Sequence, residues 1–165
     1  MVHSIRALAF GVAALALCGP LATPSPARAA PNAELTCLAQ TIYFEARGST
    51  EQEKIAVGHV VLNRSRDPDF PSSICGVVHQ KGNGGCQFSW ACDGRSDRPT
   101  EKDAWEESLN LARQVLYGKV GDPTHGALWF HDRKVRPDWK NDYKRTATIG
   151  SSIFYARPTQ TASTR

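Results

Sequence analysis

An α+β domain is what three features of this sequence predict. Residues 32–64 and 100–118 carry apolar side chains at helical spacing, residues 127–155 hold three short β-type runs, and Gly, Asp, Ser and Cys crowd residues 81–99. The 165 residues, 41% hydrophobic and 22% charged, fill one modest domain and exclude a disordered polymer or a membrane-embedded chain. They also form no repeat array.

The first element in the chain is not part of that domain. His3 and Arg6 precede an apolar run from Ala7 to Leu17 that is too short to span a bilayer. Ala27-Arg28-Ala29 then supplies small residues at the −3 and −1 positions of a cleavage site. We read residues 1–29 as a secretory signal peptide, residues 30–158 as the folded domain and residues 159–165 as a disordered tail. Export to the periplasm or cell envelope follows, with no membrane contact after cleavage.

The folded part opens with a helix, because Leu35, Leu38, Ala39, Ile42 and Ala46 share one stripe, with Asn32 as N-cap and Gly48 as stop. Thr50 and Glu53 form a capping box for a second helix, through Ile55, Val57, Val60, Val61 and Leu62 to an end near Asn63 or Arg64. Asp67-Pro68 and Phe70-Pro71 break the chain, and Ile74 to His79 reads as one or two helical turns after Ser72 or Ser73. Residues 81–99 read as a loop enclosing Gln87-Phe88-Ser89-Trp90 between two cysteines. Thr100 caps a third long helix, with Ala104, Trp105, Leu109, Ala112, Val115 and Leu116 on its buried face and Gly118 at its close. Ala127–Phe130, Thr146–Ile149 and Ile153–Tyr155 read as strands, the last two joined in a hairpin by Gly150-Ser151.

Charge and cysteine usage narrow the function classes. Cleavage after Ala29 removes Arg6 and Arg28 and no acidic residue, taking the net charge from +4 to +2, which gives no reason to expect nucleic acid as a partner. Arg133, Lys134, Arg136, Lys140, Lys144 and Arg145 cluster around Asp132, Asp138, Asp142, Trp139 and Tyr143. That cluster reads as a solvated loop, with an anionic-polymer groove as its alternative. Cys37, Cys75, Cys86 and Cys92 remain after export and predict two disulfides. Three pairings are open, although Cys86 and Cys92 are close enough to staple the loop between them. A zinc site is disfavoured, since no Cys-x-x-Cys occurs and His59, His79, His125 and His131 miss the i, i+4 spacing.

One residue stands out for chemistry. Glu45 follows Ile42 by three residues, which turns it close to the apolar stripe, and it sits near the negative end of the helix dipole. Both effects favour the protonated carboxyl that a general acid for glycosidic cleavage requires. The alternative is an ion pair with Arg47 or another basic residue. No second carboxylate stands out: Asp93 would need its loop to fold across the helix, and Glu51 and Glu53 belong to the next helix start. A lone carboxyl can still act if the sugar's own hydroxyl attacks and closes an internal ring. Gln87 and Ser89 offer fixed hydrogen-bond groups for a cleft, or cap their own loop. Tyr43 is a candidate for the cleft lining, and Phe44 reads as core. Trp90, Trp129, Phe130 and Tyr155 could stack on sugar faces or form small apolar clusters, and Asn63-Arg64 reads as satisfying the last carbonyls of its helix.

Four strings, in order, resemble the spore cortex-lytic type of bacterial cell wall hydrolase: Ala39 to Gly48, Ala56 to Arg64, Cys86-Gln87-Phe88-Ser89-Trp90, and Ile149-Gly150 through Phe154-Tyr155. The resemblance covers nearly all of residues 35–157. It implies a lysozyme-like domain over residues 30–158 that cleaves the β-1,4 bond between N-acetylmuramic acid and N-acetylglucosamine in peptidoglycan glycan strands. A lytic transglycosylase leaving a 1,6-anhydromuramic end is the implied activity, with no metal or organic cofactor and a monomer as the working unit. The family's catalytic glutamate falls on Glu45. Gln87, Phe88 and Ser89 fall on a motif that looks like part of the glycan cleft, with Tyr43, Trp129 and Tyr155 as further substrate-binding candidates. Two positions depart from the family: Ser49 stands where glutamate is usual, and Ser152 where histidine is frequent. Hydrolysis by water, a noncatalytic peptidoglycan-binding module and a zinc amidase remain the alternatives.

Overall fold

The computed structural model describes residues 31–82 and 85–158; the signal peptide read at 1–29 and the tail read at 159–165 lie outside the described residues. Helix α1 runs Pro31–Ala46. Proline suits a first helical position, whose N–H has no intrahelical partner, so Asn32 lies inside the first turn and is not the cap. Helix α2 runs Glu51–Arg66, past the expected end at Asn63 or Arg64, and stops at Asp67, which Pro68 holds extended. Thr50 caps it by accepting the Glu53 N–H at 3.3 Å. Helix α3, Ile74–Val78, is capped by Ser73, whose hydroxyl accepts the Gly76 N–H at 3.0 Å.

The stretch read as a loop holds more structure than expected. Strands β1 (Lys81–Gly82) and β2 (Gly85–Cys86) pair antiparallel, and a 3₁₀ turn follows at Ser89–Cys92. Helix α4 spans Lys102–Leu116, one residue later than a Thr100 cap requires. Its N-cap Glu101 makes no side-chain cap bond. Instead the Tyr43 hydroxyl accepts the N–H groups of Thr100 at 3.2 Å and Glu101 at 3.1 Å. Strands β3 (Trp129–Asp132), β4 (Lys144–Ile149) and β5 (Ser152–Ala156) make an antiparallel sheet in the order β3-β5-β4, and Gly150-Ser151 turns β4 into β5 as expected.

Helix α2 is central because both of its sides are apolar. Val61 and Leu62 join Leu38, Ile42, Val77, Leu111 and Val115 in the core among the four helices. Ala56 and Val60 face the sheet and pack with Ala127, Ile149 and Phe154. Each such aliphatic burial contributes about 1.5–3 kcal/mol, so the two clusters fix α2 against both layers. The helices approach closely at Gly58, where a Cβ would lie 3.1 Å from Ile42 Cδ1 and 3.4 Å from Val115 Cγ2. A larger residue there would push α2 off α1 and α4. Among the three pairings left open, the cysteines form Cys37–Cys75, which ties α1 to α3, and Cys86–Cys92, which closes the loop around Gln87 to Trp90. No helix of the described residues is long and apolar enough to cross a membrane.

Candidate active site

Leu38, Ile42 and Ala46 carry the stripe of α1 into the core. Glu45 leaves it in the last turn and opens into a cleft of about 330 Å³ between the helices and the β4–β5 hairpin. The expectation that Glu45 would point close to the apolar stripe is thereby corrected: the residue is exposed to water through the cleft mouth. Protein still crowds its carboxyl, and that desolvation raises its pKa above the usual value. The Trp90 indole N–H and the charge of Arg64 pull the other way. Water contact at the mouth and desolvation on the remaining sides are compatible on the floor of an open cleft.

Arg47 plays no part here, so the cation that acts on Glu45 is the other basic residue the ion-pair reading allowed, Arg64. Arg47 pairs with Glu101 at 2.9 Å and lays its guanidinium over the Tyr43 ring at 5.0 Å. Arg64 is the cation of the site. It is 2% exposed, and its Nε donates to the Leu128 carbonyl at 2.6 Å, fixing it to the segment before β3. Burial lowers its pKa to about 10, so it stays charged at neutral pH, and the Glu45 carboxylate favours that charge. Arg64 Nη1 and Trp90 Nε1 are buried donors without a partner of ordinary hydrogen-bond geometry. The Trp90 N–H acts on Glu45 as a hydrogen-bond donor and Arg64 as a nearby charge, so both favour the anionic carboxyl. The reading of Asn63-Arg64 as a helix end is corrected with it. Asn63 Nδ2 donates to Asp122 Oδ2 at 2.9 Å and to the Ala127 carbonyl at 3.1 Å, stitching α2 to the loop before β3.

The cysteine-bounded loop supplies one wall. The Gln87 N–H donates to the Gln80 carbonyl at 2.9 Å, and the Cys86–Cys92 bond returns the chain beside α1. Gln87 and Phe88 line the cleft, while Ser89 is exposed at the start of the 3₁₀ turn and lies outside the lining. Phe88 is buried beneath the guanidinium of Arg64, 5.7 Å from its ring centre. Trp90 is buried and stacks on Phe44 at 4.7 Å, which holds its indole near Glu45.

The opposite wall contains a carboxylate that the capping-box reading hid. Glu53 keeps only half of that box: its N–H reaches Thr50, but its side chain turns into the cleft and is 3% exposed. It accepts from the Ser151 N–H at 3.2 Å, the Ser151 hydroxyl at 3.0 Å and the Ser152 hydroxyl at 2.7 Å. Gly150 makes this approach possible, having φ +57° and no Cβ to meet the carboxyl. Ser49 lines the same cleft from the bend that precedes the Thr50 cap. Phe130, His131 and Asp132 of β3 complete the wall. The backbone N–H of Lys134, at 2.8 Å, holds the Asp132 carboxyl below its usual value.

Three aromatic candidates lie elsewhere. Tyr43 is 1% exposed and spends its hydroxyl on the approach to α4, so it does not line the cleft. Trp129 stacks on Tyr143 at 3.8 Å, and Tyr155 stacks on His131 at 5.3 Å with its hydroxyl 2.9 Å from His131 Nε2. Strand alternation turns Phe130 to the cleft side of β3 and Trp129 away from it. The sequence signal for Glu53 and Ser152 was weak: one matches a helix cap and the other a hairpin turn.

A family model described as cell wall hydrolase matches residues 48–155, a span that begins after Glu45 and includes Glu53, Arg64, Gln87 and the hairpin. The spore cortex-lytic enzyme of Bacillus subtilis is 29% identical over 126 residues, covering 74% of this chain and 37% of that protein. Its namesake in Halalkalibacterium halodurans is 30% identical over 134 residues, covering 81% and 37%. This chain thus spans little more than a third of those relatives. The catalytic domain of the germination-specific lytic transglycosylase SleB from Bacillus anthracis superposes with a TM-score of 0.61 at 24% identity, over 80% of this chain and all of that one. The Bacillus cereus SleB catalytic domain gives 0.58 at 23%, over 84% and 99%. These two likenesses establish the lysozyme-like α+β fold.

Proposed function

This chain belongs to the cell wall hydrolase family, and from that premise we propose that it is an exported lytic transglycosylase of peptidoglycan glycan strands. The observation that carries the proposal is a carboxyl with a raised pKa on the floor of a cleft, beside a buried arginine. Neutral Glu45 donates its proton to the oxygen bridging N-acetylmuramic acid and N-acetylglucosamine as the bond from muramic C1 to that oxygen breaks. The C6 hydroxyl of the same muramic acid attacks C1, and the Glu45 carboxylate takes the C6 hydroxyl proton. The products are a free 4-hydroxyl and a 1,6-anhydromuramic end, with Glu45 protonated again and no water consumed.

The two states of Glu45 have separate supports. Desolvation favours the neutral acid before the step, while Arg64 and Trp90 favour the anion during it. Glu53 is a poor base for activating water, since its oxygens already accept three hydrogen bonds. We assign it to holding Ser151 and Ser152 in the cleft wall, with Gln87 and Phe88 opposite as substrate contacts. The proposal places the chain in the cell envelope, where its glycan substrate lies.

Purified mature chain added to a suspension of cell walls tests this reading. Wild type is expected to clear the suspension, and Glu45→Gln to slow clearing by about 100- to 10,000-fold while keeping its fold. Equal clearing by both proteins would overturn it.

A further inference from the structure

Beyond the cleft, on the far side of His131, lies a cavity of about 530 Å³ with an unusual charge balance. Arg133, Arg136, Lys140 and Arg145 line it together with Tyr143 and Tyr155, and no acidic side chain does. Asp138, which opens the neighbouring 3₁₀ turn, and Asp142, which caps its end, stay out of the lining. Arg133 is partly balanced by Asp132, whose carboxyl it helps hold low. Arg136, Lys140 and Arg145 have no carboxylate within 4.0 Å among the described residues, and Arg145 donates instead to the Thr148 hydroxyl. The segment that reads from sequence as a solvated loop is therefore folded around a cavity of small-molecule size.

Like charges crowded around one cavity repel each other unless an anion joins them. His131 borders both spaces and is pinned to Tyr155 on the cationic side, so the cavity adjoins the glycan cleft. A ligand attached covalently to the sugar in the cleft can reach it without a second diffusional encounter. Peptidoglycan has such a group, because the peptide stem on each muramic acid carries free carboxylates. We propose that this cavity binds the stem-peptide carboxylates of the muramic acid held in the cleft, with Arg136, Lys140 and Arg145 as the recognising cations. This rests on the glycan reading of the cleft. It makes the enzyme selective for strands that keep their peptides.

A synthetic stem tetrapeptide, as free acid and with its carboxyls amidated, is titrated into the mature chain by calorimetry. The free acid is expected to bind about tenfold more tightly than the amide, and Arg136→Ala/Lys140→Ala to remove that advantage. On glycan strands with stems the same variant should raise KM with kcat unchanged, and on strands stripped of stems it should match wild type. Absent binding, equal binding of acid and amide, or binding untouched by the double substitution would overturn the proposal. Polyphosphate displacing the stem at lower concentration would overturn it too, assigning the cations to a phosphate polymer. Stem binding by a chain that fails to clear walls would sink the transglycosylase reading alone, whereas clearing without stem binding would sink only this site.

Discussion

Glu45 is held between opposing influences, and each has a separable signature. Burial raises its pKa, while the Trp90 N–H and Arg64 lower it. Trp90→Phe keeps the ring stacked on Phe44 but deletes the N–H, so the pKa should rise further. In the proposed mechanism the proton donor is the neutral acid, so activity falls as pH rises through that pKa, and the alkaline limb of kcat/KM should move to higher pH in Trp90→Phe. A pH–rate profile of the two proteins checks this; a limb shifted downward would contradict it. Stability obeys the same linkage. With the folded pKa raised, the contribution of Glu45 is fully present below its unfolded value and is lost as pH rises through the folded value. Glu45→Gln should therefore melt above wild type at neutral pH and together with it in acid, as calorimetry across pH would show. In the sequence Glu45 was singled out by the apolar stripe and the helix end; the helix end stands, whereas the residue opens into the cleft and not toward the stripe. Glu53 was not legible, since a Thr-x-x-Glu box looks the same whether the carboxyl turns back to its cap or forward to a hairpin 98 residues away.

The elements most exposed to substitution are the two staples and the hairpin. Removing Cys37–Cys75 frees α3 from α1 and should cost about 2–4 kcal/mol in chemical denaturation, with activity retained at low temperature. Removing Cys86–Cys92 releases the Gln87–Phe88 wall of the cleft, so KM is expected to rise more than stability falls. Substituting Gly150 by Ala sets a Cβ within 2.7 Å of Glu53 Cδ at a φ of +57°, which strains the turn and expels the carboxyl from its serines. A loss of about 1–3 kcal/mol is expected from the strain, with Glu53→Ala showing a similar or larger loss. Unchanged melting of Gly150→Ala would contradict the close approach. Helix spans were readable because Leu38, Ile42 and Ala46, or Ala112 and Val115, repeat at one period. The ends were misjudged where tertiary partners intervene, as at α4, whose cap is served by a tyrosine from α1.

At the scale of the whole molecule, α2 works as a keel. Its two apolar sides join the helical body to the sheet, and Glu53 and Arg64, at its two ends, reach the same cleft. The α+β class and the hairpin were legible because propensity and turn chemistry agree with the packed result. The cleft itself was only half legible. Its helical wall and its hairpin lie in contiguous strings, whereas His131 and Asp132 of β3 enter as single side chains that no local pattern marks. The central claim is that one acid, aided by the sugar's own hydroxyl, breaks the strand without water. Digesting walls in water enriched in heavy oxygen and weighing the released muropeptides tests it directly. The expected products carry anhydromuramic ends with no heavy oxygen, and they vanish with Glu45→Gln; reducing muramic ends labelled with heavy oxygen would contradict it.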